Sequence, residues 1–133
     1  MSANEGKAVK LAILGATIFW ALVWASVSFA ATIEGTGGLD NLYGSAHADT
    51  IHGYGAADSL YGKGGADHLY GGRGQDVIQG GLGSDVLRGG RGNDELYAHD
   101  GRYDVVRCGP GSDDFAYIDW GLDDLLGCER GIA

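Results

Sequence analysis

Gly71-Gly-Arg-Gly-Gln-Asp76-Val-Ile-Gln, Gly80-Gly-Leu-Gly-Ser-Asp85-Val-Leu-Arg and Gly89-Gly-Arg-Gly-Asn-Asp94-Glu-Leu-Tyr are three consecutive nine-residue units cut to one pattern. Each opens on a glycine pair, carries Asp at its sixth position and a large aliphatic residue at its eighth. Glycine opens backbone conformations that a Cβ forbids, Asp closes a turn and adds charge, and the aliphatic residue needs a core. Outward from this stretch, Asp recurs every nine residues at Asp40, Asp49, Asp58, Asp67, Asp76, Asp85 and Asp94. Two residues after each comes Leu42, Ile51, Leu60, Leu69, Ile78, Leu87 or Leu96, and five before each stands Gly35, Gly44, Gly53, Gly62, Gly71, Gly80 or Gly89. The unit is a Gly-rich turn, a closing Asp and a three-residue strand. After one inserted residue the period continues through Asp104 with Val106, then recovers in Cys108-Gly-Pro-Gly-Ser-Asp113 with Phe115, making nine units. Such units cannot bury an apolar face alone, so they must stack, and the first and last need capping.

The composition suits ordered turns. There are 26 glycines and 1 proline in 133 residues, without the every-third-residue spacing of collagen. The net charge is -9, and without residues 1–30, which hold Glu5, Lys7 and Lys10, 7 basic residues face 17 acidic ones. That surface repels phosphate backbones, which excludes nucleic acid, and Arg73 and Arg91 stand isolated among carboxylates. The same crowding calls for cations as partners.

Residues 1–30 read as a signal peptide. A short polar start with Lys7 and Lys10 precedes the uncharged run from Leu11 to Ala31, and Ser28-Phe29-Ala30 offers small residues at the positions a signal peptidase inspects. The competing reading is an uncleaved anchor helix, since about 1.5 Å per residue carries this run across a hydrocarbon core of about 30 Å. Under either reading the repeat is exported, and only the anchor makes the membrane a partner. Export permits a disulfide between Cys108 and Cys128, the only cysteines. Such a bridge would stabilise by roughly 3 kcal/mol through loop closure.

The three central units resemble the calcium-binding nonapeptide GGxGxDxUx of the repeats-in-toxin (RTX, haemolysin-type) family. The resemblance covers about residues 35–116, and Asp119-Trp-Gly-Leu-Asp-Asp124 with Cys128-Glu129 is similar to the closing cap of exported relatives. It implies an all-β fold, a right-handed parallel β-roll with two units per coil over residues 31–116, which here would follow the signal or anchor helix read over residues 1–30 and lead into a disulfide-bridged cap over 117–133. The family usually carries a C-terminal secretion signal, and the N-terminal one of this chain points to the general secretory route instead. In that fold the eighth-position residues, Leu42 to Phe115, point inward as two facing ladders. It further implies several calcium ions between turns two units apart. The ligands would be Asp58, Asp67, Asp76, Asp85, Asp94 and Asp113, with the turn backbone at Gly62, Gly64, Gly71, Gly72, Gly74, Gly80, Gly81, Gly83, Gly89, Gly90 and Gly92. The pairs are Asp58 with Asp76, Asp76 with Asp94 and Asp67 with Asp85, followed by Asp49 with Asp67, Asp85 with Asp104 and Asp94 with Asp113. Calcium suits such turns because it takes roughly six to eight oxygens, including backbone carbonyls. The alternative for each Asp is closure of its own turn through local backbone hydrogen bonds.

The early units depart from the pattern. Thr36, Ser45, Tyr54 and Lys63 replace the second glycine, and His47 and Ala56 the fourth-position one. A side chain there is strained if the turn needs positive φ, so these units are expected to bind weakly or merely stack. His47, His52, His68 and His99 have no zinc spacing. Trp120, Leu122, Leu125 and Leu126 are expected to cover the C-terminal end of the core. Tyr43, Tyr61, Tyr70 and Tyr97 offer an aromatic strip for carbohydrate or protein, and ordinary β-propensity explains them equally well.

No Gly-x-Ser-x-Gly, His-Glu-x-x-His, phosphate loop or EF-hand order is present, so no enzyme is expected. The leading reading is a secreted calcium-binding module in a stability, adhesion or matrix role. A calcium-rigidified surface-recognition module is the alternative, and a small extracellular hydrolase using roll carboxylates is the second.

Overall fold

Every inner strand is organised around one apolar residue held between two outward-facing neighbours, the alternation that a half-buried strand imposes. The computed structural model describes residues 30–132, so the signal peptide or anchor expected over 1–30 lies outside the described residues except for Ala30. Twelve strands follow one another: β1 (Thr32–Glu34), β2 (Asn41–Tyr43), β3 (Thr50–Gly55), β4 (Ser59–Gly64), β5 (His68–Arg73), β6 (Val77–Leu82), β7 (Val86–Arg91), β8 (Glu95–Tyr97), β9 (Val105–Arg107), β10 (Phe115–Tyr117), β11 (Asp124–Leu126) and β12 (Arg130–Ile132). No helix occurs among the described residues.

Consecutive strands alternate between two six-stranded parallel sheets, ordered β1-β3-β5-β7-β9-β11 and β12-β10-β8-β6-β4-β2. The register pairs Ile51 with Leu69 and Leu60 with Ile78, which is two nine-residue units per coil. The chain is therefore a parallel β-solenoid of about five turns. Between the sheets runs a core one side chain deep, with Ile51, Leu60, Leu69, Ile78, Leu87, Leu96 and Val106 fully buried. Each such burial is worth roughly 1.5–3 kcal/mol.

The solenoid differs from expectation in four ways. Strands β3 to β7 run six residues, not three, because pairing continues into the turns, as where Tyr54 pairs with Gly72 and Lys63 with Gly81. The ladder is longer than the nine expected units. Ile33 on β1 opens it without a preceding Asp, and β11 and β12 pair onto β9 and β10. At β10 the buried residue is Ala116, not Phe115, and the Asp ahead of it is Asp114, because the turn from Cys108 carries one more residue than the pattern allows. Finally Trp120, Leu122 and Leu126 stand 63%, 42% and 63% exposed, so they do not cover the core, and only Leu125 of that group packs against it.

Candidate metal centre

The turns between the sheets stack into two edges. One carries Asp40, Asp58, Asp76, Asp94 and Asp114, the other Asp49, Asp67, Asp85, Asp104 and Asp123. From Asp58 on one edge and Asp67 on the other, each Oδ1 accepts a hydrogen bond from the backbone N–H of the Asp one coil earlier, and Asp49 Oδ1 accepts from Ala31 N at 2.9 Å. Asp58 accepts from Asp40 at 2.9 Å, Asp67 from Asp49 at 2.7 Å, Asp76 from Asp58 at 2.9 Å and Asp85 from Asp67 at 2.8 Å. Asp94, Asp104 and Asp114 continue the rows, accepting from Asp76, Asp85 and Asp94 at 2.9, 2.7 and 2.8 Å. These Oδ1 atoms tie coil to coil, so closure of each Asp's own turn is not their role.

The second oxygens are the unusual ones. Oδ2 of Asp58, Asp67, Asp76, Asp85, Asp94, Asp104 and Asp114 is buried with no hydrogen-bond partner among the described residues. A carboxylate oxygen in that state is costly unless something positive meets it. At Asp58, Asp67, Asp76 and Asp94 a backbone carbonyl oxygen of the following coil lies opposite it. A Cβ built on Gly53 would sit 2.5 Å from Asp58 Oδ2 and 2.6 Å from the Gly71 carbonyl oxygen, and one on Gly89 would sit 2.6 Å from the Cys108 carbonyl oxygen with Asp94 Oδ2 beside it. The missing side chain of the first-position glycine thus leaves a cradle lined by one carboxylate and one carbonyl of successive coils.

Burial pushes these carboxyls up, and neighbouring carboxylates add to the shift against the opposing backbone hydrogen bonds. Asp67, Asp94 and Asp104 rise to about 7 and Asp76 to about 6, while Asp58, Asp85 and Asp114 rise as well. Among the described residues no three His, Cys, Asp or Glu side chains converge on one point. A cation here would accordingly draw on backbone carbonyls, which is hard-cation chemistry and not that of zinc. Orphaned carboxylate oxygens, carbonyl-lined cradles and all-oxygen donors fit calcium.

The family profile of the RTX calcium-binding nonapeptide repeat matches residues 28–60, 52–87 and 79–102, more than half of the sequence. The chain belongs to the RTX calcium-binding nonapeptide repeat family. No curated protein and no solved structure matches it.

On this RTX roll the expected carboxylates Asp58, Asp67, Asp76, Asp85 and Asp94 all lie in the rows, in the pairs that their spacing implies. Asp113 does not: it is exposed, and Asp114 takes the place expected for it. Of the expected glycines, Gly62, Gly71, Gly80 and Gly89 face the row carboxylates. Gly72, Gly74, Gly81, Gly83, Gly90 and Gly92 have positive φ and lie so close to the preceding coil's carbonyls that no Cβ fits, whereas Gly64 has room for one. The strain expected in the early units is present at Tyr54 (φ 76), Ala56 (φ 68) and Lys63 (φ 78), and absent at Thr36, Ser45 and His47. Cys108 and Cys128 form the expected disulfide, Cα–Cα 5.1 Å.

Several row members escaped the sequence pattern. Asp114 hides in an Asp pair. Asp123, whose Oδ1 accepts from Asp104 N at 2.9 Å, keeps the spacing to Leu125 and was legible. Glu129 Oε2 accepts from Asp114 N at 2.7 Å, a longer side chain in the place of an Asp.

Proposed function

We propose that this chain is an exported RTX protein whose roll folds on calcium and serves a stability, adhesion or matrix role outside the cell, without catalysis of its own. The observation that carries the calcium-coupled folding is the double row of seven buried Oδ2 atoms without partners. Asp58, Asp76, Asp94 and Asp114 would hold ions on one edge and Asp67, Asp85 and Asp104 on the other, together with carbonyls of the glycine turns. Bound calcium supplies the positive charge that lets these carboxylates stay ionised while buried. The chain's own part is to aim one oxygen of each Asp at the previous coil's N–H and leave the other free. Calorimetric titration of the full chain with calcium, paired with circular dichroism before and after chelation, tests this. Heat of binding and loss of most β signal on chelation are expected; a flat titration with an unchanged spectrum would sink the proposal.

Stacked aromatic rungs favour surface recognition as a second reading. Tyr43 lies on Tyr61 with ring centroids 4.9 Å apart, and Tyr97 on Tyr117 at 4.6 Å, both along the face of the even-numbered sheet. Tyr70 lies on the other sheet against His52 at 4.7 Å, so the expected strip of four is split between two faces. Glycan-array binding with and without calcium distinguishes this reading, since a recognition role requires a hit that calcium sustains.

A further inference from the structure

The first turn on each edge closes in its own way. Thr36 N and Oγ1 both donate to Asp40 Oδ2, at 2.5 and 2.9 Å, and Ser45 N and Oγ both donate to Asp49 Oδ2, at 2.6 and 2.9 Å. Thr36 and Ser45 occupy the second position of their units, where the following units carry Tyr54, Lys63 and then glycines, all at positive φ. Without positive φ, the second-position amide and hydroxyl turn inward onto the carboxylate. Both hydroxyls also accept a backbone N–H two residues on, from Gly38 at 3.0 Å and His47 at 3.1 Å, which fixes their orientation.

The consequence is visible in the carboxylates. Asp40 and Asp49 are not among the seven residues whose Oδ2 is buried without a partner. The carboxylate oxygen is also drawn away from the first-position glycine: a Cβ on Gly35 or Gly44 would lie 2.8 or 2.9 Å from Oδ2, against 2.5 Å on Gly53, while the facing carbonyl at Gly44 stays as close as in the later coils. Two hydrogen bonds already meet this oxygen, and a cation would have to break both to reach it.

We propose that Thr36 and Ser45 stand in for the cation in the first turn of each edge, so that the ion columns begin at Asp58 and Asp67. The proposal rests on the calcium reading of the rows and adds where they start. It makes the second-position residue the selector: a hydroxyl without positive φ closes the turn dry, and a positive-φ residue leaves the carboxylate for an ion. The far end of the second edge is closed in a related way, since both oxygens of Asp123 are met by backbone N–H groups, of Asp104 at 2.9 Å and of Asp119 at 2.7 Å.

The test counts calcium ions bound per full chain by equilibrium dialysis. Asp40→Asn and Asp49→Asn are expected to keep the wild-type count. Thr36→Gly, and Ser45→Gly combined with His47→Gly, restore the central pattern and are each expected to bind one ion more than wild type. Loss of an ion from either Asn variant, or an unchanged count in either Gly variant, overturns the proposal. The Gly variants decide it if an Asn variant fails to fold. A wild-type chain that binds no calcium overturns the calcium reading itself, an outcome distinct from all of these.

Discussion

At Gly89 a single methyl group would intrude on two oxygens, the Cys108 carbonyl 2.6 Å from its carbon and Asp94 Oδ2 beside it. Gly89→Ala should therefore cost about 1–3 kcal/mol through overpacking and remove one bound ion. Chemical denaturation in excess calcium and an ion count check the two effects separately, and an alanine variant with the wild-type count would contradict the cradle. Ala56 presents the opposite case, a side chain held at φ 68 where later units use glycine. Left-handed backbone costs a non-glycine residue roughly 1–2 kcal/mol, part of which is offset by the greater freedom of glycine in the unfolded chain. Ala56→Gly should raise stability by roughly 0.5–1 kcal/mol on that balance. A melting temperature below that of the wild type, at saturating calcium, would show the strain to be imaginary. Thr36 and Ser45 mark the limit of reading residues by pattern alone. As letters they are failed glycines, and only the position of the neighbouring carboxylate reveals that their hydroxyls have a partner.

At the scale of the strand, legibility followed the coupling of an Asp to an apolar residue two positions on. From β2 to β9 that coupling is unbroken, because each strand pairs in register on the one a coil earlier even where the turns between them differ. It failed on either side of that run. Ile33 sits in a full inner rung with no Asp to announce it, and Asp113 and Asp114 are two adjacent candidates for one place. The extra residue in the turn after Cys108 decides between them, and no periodicity records how a turn absorbs a residue. Within the ladder each rung touches the next, so Leu87→Ala should cost about 2–5 kcal/mol, read from denaturant unfolding with calcium present. At the last coils the bridge from Cys108 to Cys128, 20 residues apart, should contribute about 3 kcal/mol by restricting the unfolded chain. Unfolding with and without reductant measures it, and equal midpoints would deny the bridge a stabilising part. Trp120 and Leu126, expected to cover the end of the core, are exposed, and it is Leu125 and Cys128 that pack against the core there.

For the whole molecule, pH and calcium should act in opposite senses. Without the ion, burial raises Asp67, Asp94 and Asp104 to about 7 from an unfolded value of 3.8. The protonated roll is favoured below 3.8, and this contribution is lost as pH rises through about 7, when buried charge appears. A chelated chain should therefore gain β signal on moving from about pH 7.5 to about pH 5, while calcium affinity falls over the same interval because protons compete for the oxygens. Circular dichroism in chelator and calorimetry in calcium read the two trends, and a chelated chain equally unstructured at both pH values would refute the first.

Each central row carboxylate, such as Asp58, Asp67, Asp76 and Asp94, also has two loyalties, one oxygen to the coil behind and the other to the coil ahead. Filling one gap holds the Asp that borders the next, so occupancy should spread along an edge as a zipper does. Loading would then be steep in calcium concentration, with a Hill coefficient above one, and the roll would respond to a threshold of the ion more than to its average level.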